Sequence, residues 1–133
     1  MYYKVVNNYA LPHLYSSDVV GEARTEYIPG VEIKPKCGPS FCFETEQQAR
    51  EYLGCCSVQE IWECEGKLSV MQPLTMLDYG WCCNLVVLMT FWQDIKGGGN
   101  GRCFSTDALW EGTVFLDTVK LTRFVYKVTK EPS

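Results

Sequence analysis

Eight cysteines in 133 residues narrow how this chain can fold more than any motif in it, because they separate a disulfide-stapled scaffold from a domain with reduced thiols in its core. They are Cys37, Cys42, Cys55, Cys56, Cys64, Cys82, Cys83 and Cys103. An even number in a small protein ordinarily signals a disulfide framework, but three observations point the other way. Met1-Tyr2-Tyr3-Lys4-Val5-Val6-Asn7-Asn8 has neither the basic start nor the apolar stretch of a secretory leader. Cys55-Cys56 and Cys82-Cys83 are adjacent pairs, and chain neighbours rarely bridge one another. Phe41-Cys42-Phe43 and Ile61-Trp62-Glu63-Cys64 place thiols within apolar segments, where a reduced cysteine behaves as a small buried hydrophobe. The expectation is a reduced, cytoplasmic protein with eight free thiols.

A chain of this length fits one domain, spanning residues 1–133, that buries roughly two-thirds of its unfolded surface without staples. Apolar residues at 47% against 21% charged favour a packed core over disorder. A net charge of −4 disfavours nucleic acid as a partner, since phosphate contacts need a positive stripe. The longest apolar run, Leu85-Val86-Val87-Leu88-Met89-Thr90-Phe91-Trp92, is too short to cross a bilayer, so no membrane partner is expected, and it reads as a buried core strand.

Tyr2 to Val6 reads as a strand closed by Asn7-Asn8, and residues around Pro12, His13, Ser16 and Ser17 as a loop. Arg24 to Ile28 forms a short exposed strand stopped by Pro29-Gly30. Phe41-Cys42-Phe43 leads into the clearest helix signal, expected over about residues 45–54. There Thr45 is an N-cap, Gln48 completes a capping box and Glu46 complements the helix dipole. Ala49, Tyr52, Leu53 and Cys56 give it one apolar face. Val58 to Glu65 is a further strand whose direction relative to the first is left open by the sequence. Gly97 to Gly101 is a surface loop, residues 105–110 a single helical turn, and residues 113–116 and 119–128 two closing strands joined at Asp117-Thr118. The fold class is α+β: a mostly antiparallel sheet of five to seven strands with one main helix on one face.

Chemical motifs are sparse. Structural zinc needs four ligands in close pairs; the tight cysteine pairs are vicinal and His13 is the single histidine, so no metal site is expected. Cys37, beside Lys36 and Lys34, is a thiol with positive charge near it in sequence. The glycine loop lacks phosphate-binding spacing, and neither a Gly-x-Ser-x-Gly elbow nor a His-Glu-x-x-His run is present. Glu60, Glu63 and Glu65 place alternating carboxylates on one strand, where they either line a cleft as base or ribose ligand or simply solvate the sheet. His13, Ser17, Arg24 and Tyr27 cluster around the early loops, where binding groups commonly sit.

Tyr3-Lys4-Val5-Val6, Ser17 with Tyr27 to Gly30, Phe41 through Ala49, Ile61-Trp62-Glu63-Cys64-Glu65, and Gly112-Thr113 running to Asp117-Thr118-Val119-Lys120-Leu121 together resemble a small uncharacterised domain family of phage, archaeal and bacterial proteins. The resemblance covers about two-thirds of the chain, and its departures are the insertion from Leu68 to Phe104 and the excess cysteine. It implies architecture and a viral or mobile-element setting, because the family carries no established activity.

The leading expectation is a non-enzymatic accessory or interaction protein with a protein partner, no cofactor, and a ligand surface drawn from Ser17, Arg24, Tyr27, Glu60 and Glu63. The alternative is a compact ADP-ribosyltransferase-like domain binding a nicotinamide dinucleotide, because His13, Tyr27 and Glu63 follow the chain order of a His-Tyr-Glu site. A cleft that joins these three distinguishes the readings.

Overall fold

The fold is described from a computed structural model that describes residues 1–16, 24–53, 59–73, 75–77, 85–99 and 106–127. Ten strands and two helices are assigned among them: β1 (Tyr2–Ala10), β2 (His13–Ser16), β3 (Glu26–Tyr27), β4 (Glu32–Ile33), β5 (Ser40–Phe43), α1 (Glu46–Leu53), β6 (Gln59–Glu65), β7 (Thr75–Leu77), α2 (Leu85–Lys96), β8 (Thr106–Ala108), β9 (Thr113–Leu116) and β10 (Val119–Lys127). The α+β class with an antiparallel sheet is as expected. The counts exceed the expectation, with eight strands in the main sheet, two in a small β7–β8 sheet, and a second helix.

β6 is the centre of the main sheet, paired with β1 on one edge and β10 on the other, within the order β3-β2-β1-β6-β10-β4. All these pairings are antiparallel. β5 joins the free part of β1 through Tyr3 and Phe43, and β9 joins β5 along Ser40–Phe43. Beyond β6 the chain turns at Gly66 and meets β9 from its other side, where Ser69 N–H donates to the Phe115 carbonyl and Asp117 N–H to the Lys67 carbonyl. The sheet therefore curls until the continuation of its central strand touches β9. Curling gives it two buried faces, and alternation along each strand divides the apolar residues between them. Val5, Phe41, Phe43, Ile61 and Phe115 form one core with Ala49 and Leu53 of α1 and Leu88, Phe91 and Trp92 of α2. Val6, Leu14, Tyr27, Cys42, Cys64, Leu116, Val119 and Leu121 form the other.

The segment 85–92 is helical, correcting the strand reading. Leu88, Phe91 and Trp92 recur at helical spacing and pack with the half-buried Ile95, while Val86 and Met89 face outward. An apolar run of eight residues carries no period that separates a buried strand from a helix. Residues 106–108 pair with β7 instead of forming a helical turn, and His13 to Ser16 form a strand because β1 runs on to Ala10 and folds back at Leu11-Pro12. Residues 54–58, Ser17, Ser105 and the five cysteines at 55, 56, 82, 83 and 103 lie outside the described residues. Cys37, Cys42 and Cys64 are buried, and Cys42 and Cys64 are free thiols.

Candidate functional site

An open cleft of about 530 Å3 lies where the link from β4 to β5, the segment after β6 and the β9–β10 turn come together. Among the described residues, Lys34, Lys36 and Lys67 bring three ammonium groups to it against one carboxylate, Asp117, and Pro35, Gly38, Pro39, Met71 and Thr118 line it with them. Local backbone chemistry holds each wall. Thr25 Oγ1 accepts from the Lys36 N–H at 2.8 Å, and Thr118 Oγ1 from the Lys67 N–H at 3.1 Å. Two glycines permit close packing at the cleft: a Cβ on Gly66 would strike the Thr118 carbonyl oxygen of the facing wall, and one on Gly38, whose φ is +126°, would strike the Trp92 ring of the core behind it. The three lysines are exposed, so their charge reaches solvent.

A second constellation is enclosed within the curl of the sheet. Lys4, 1% exposed, donates from Nζ to the Phe41 carbonyl at 2.7 Å and lies 4.2 Å from the centre of the Phe41 ring. Cys42 and Cys64 are wholly buried beside it, and the Cys64 thiol donates to Cys42 Sγ across 4.0 Å. Hydrogen bonding to Cys42, together with burial, pushes the Cys64 thiol far above the usual range. Burial also opposes ionisation of Cys42, but the thiol donated by Cys64 and the Lys4 ammonium outweigh it and draw that group down. Tyr27 closes the cluster with its hydroxyl 2.7 Å from Ser40 Oγ; burial holds the phenol well above its ordinary value.

The residues singled out from sequence are dispersed. His13 pairs with Glu26 at 2.7 Å on the exposed side of the β2–β3 hairpin. Arg24 lies over Tyr15, 3.9 Å from its ring centre, and donates to the Tyr9 hydroxyl. Tyr27 points into the second core, whereas Glu63, next to Cys64 in an alternating strand, points to the opposite face and accepts from Arg123 at 2.6 Å. Glu60 accepts from Asn8 and from the Trp62 indole. His13 and Glu63 are opposite Ala10 and Tyr3 of β1, about 20 Å apart along an extended strand. His13, Tyr27 and Glu63 thus share no cleft. The thiol of Cys37 is raised by burial, with Lys36 only partly opposing the shift. Its neighbouring lysines instead line the cleft, a role invisible in sequence because Lys67 and Asp117 join them from distant segments.

No family model matches the chain, and neither the curated proteins nor the solved structures compared with it include a match.

Proposed function

We propose that this protein is an interaction domain that takes an acidic segment of a partner protein into the cleft lined by Lys34, Lys36 and Lys67. The observation carrying this reading is the concentration of three lysines around one cleft in a chain whose net charge is −4. A local field of sign opposite to the rest of the molecule steers carboxylate-bearing chains to that spot and repels them elsewhere. Pro35, Pro39 and Met71 supply the apolar contacts that peptide side chains use. A short basic cleft on an acidic surface suits a peptide better than a nucleic-acid backbone, whose regularly spaced phosphates call for an extended stripe.

The test is fluorescence anisotropy with a labelled oligoglutamate peptide, compared with single-stranded DNA of equal length. The peptide is expected to bind with an affinity that falls as salt rises. The double substitution Lys34→Glu, Lys36→Glu is expected to weaken it about tenfold, equivalent to about 1.4 kcal/mol. Equal binding by this folded double variant, or tighter binding of the DNA, overturns the reading.

A further inference from the structure

We propose that Cys42 and Cys64, complemented by Lys4, form a buried two-coordinate site for a soft monovalent metal ion of the copper(I) and silver(I) class. The two sulfurs approach to 4.0 Å although they belong to β5 and β6, strands that both flank β1. The strong curl of the sheet turns both side chains into the same enclosed space.

The class of metal follows from the donor set. Among the described residues no three His, Cys, Asp or Glu side chains gather as a metal cluster, so none of them adds a third ligand to this pair, and structural zinc needs four. Hard cations require several oxygen donors, whereas paired thiolates select copper(I). Metal–sulfur bonds of about 2.3 Å in a linear arrangement span about 4.6 Å, so a separation of 4.0 Å needs to widen by only about 0.6 Å.

Charge narrows the choice further. Two thiolates and one monovalent cation carry a net charge of −1, which the single positive charge of Lys4 complements within the same enclosure. The ammonium is held at 2.7 Å on the carbonyl of Phe41, the residue next to Cys42 in the chain. A divalent ion on the same two sulfurs is neutral and leaves no such complementarity. Starting from two thiols, uptake forms two metal–sulfur bonds and releases two protons to solvent, with no change in oxidation state. Tyr2 packs half-buried against this cluster, opposite Cys64 in register.

The six remaining cysteines would bind the same metals in solution, so the test begins with the full chain carrying serine at those six positions. Native mass spectrometry under anaerobic conditions, with copper(I) delivered from a chelator in excess, is expected to show one metal per chain, and X-ray absorption to show two sulfur neighbours. Adding Lys4→Met is expected to weaken retention against the chelator at least tenfold while circular dichroism confirms the fold. If the six-serine chain fails to fold, the unaltered chain is compared with Cys42→Ser and Cys64→Ser, each of which should lose the most tightly held equivalent. A folded protein that takes up no metal at this pair, or that oxidises to a Cys42–Cys64 disulfide in preference to binding, overturns the proposal. So does uptake unaffected by all three substitutions.

Discussion

Glu63 and Arg123 show how one residue pair links sheet register to pH. β10 is offset against β6 by bulges on either side of the Arg123–Phe124 pair, which brings Arg123 opposite Glu63 with its guanidinium 2.6 Å from the carboxylate. The hydrogen bond from Arg123, reinforced by its charge, holds the Glu63 carboxyl below its ordinary value against a smaller opposing effect of burial. A carboxylate with a depressed folded pKa adds stability above its unfolded pKa of about 4.3, and that contribution disappears as pH falls through the folded value. Arg123→Gln is therefore expected to raise the Glu63 pKa, followed by the carboxyl carbon chemical shift. It is also expected to lower the denaturation midpoint at neutral pH by an amount that vanishes in acid. A difference between variant and parent that stays constant from pH 7 to pH 2 would mean that the pair does not carry this dependence. Arg123 itself is largely exposed, so salt should shrink the difference.

At the scale of the element, α1 shows a local signal that tertiary packing leaves intact. Its eight residues are too few to be helical alone in water, so its start depends on a cap and its persistence on packing. Both halves of the capping box are present: Thr45 Oγ1 accepts from the Gln48 N–H at 3.2 Å, and Gln48 Oε1 accepts from the Thr45 N–H at 3.2 Å. Replacing Thr45 by Ala removes the acceptor and is expected to cost about 1 kcal/mol in chemical denaturation. An unchanged midpoint would show that packing of Ala49 and Leu53 alone sets the helix. α2 illustrates the opposite case. Its helical period becomes legible only when the apolar run is extended to Ile95, because residues 85 to 92 are apolar in nearly every position and β-branched at three of them.

For the molecule as a whole, the cleft depends on how far the sheet curls, and Gly66 is where that can be tested. Gly66→Ala brings a methyl group against the Thr118 carbonyl oxygen, so the β9–β10 turn must move away from Lys67. Overpacking of this kind costs about 1–3 kcal/mol. Oligoglutamate affinity is expected to fall with it. Gly30→Ala is the comparison: its φ is +81° with open space around it, so backbone strain of about 1–2 kcal/mol is expected with peptide binding retained. If both variants bind the peptide as the parent does, the β9–β10 turn is not part of the binding surface.

By itself the sequence determined the α+β class, the capped helix after Thr45, the turn at Pro29-Gly30 and the two strands on either side of Asp117-Thr118, because each rests on residues within a few positions of one another. What depended on tertiary structure is which distant residues meet. Lys34 and Lys36 read locally as neighbours of Cys37, and only the approach of the segments around Gly66 and Thr118 turns them into one wall of a cleft with Lys67. Lys4 reads as one polar residue in an apolar strand. Its place beside Cys42 and Cys64 follows from the antiparallel pairing of β1 with both β5 and β6. Tyr27 and Glu63, alike as polar members of strands, fall on opposite faces because side chains alternate across a sheet and register decides which side is enclosed. Contacts across tens of residues leave no local periodicity in the chain, so curvature and register alone assign these groups their neighbours.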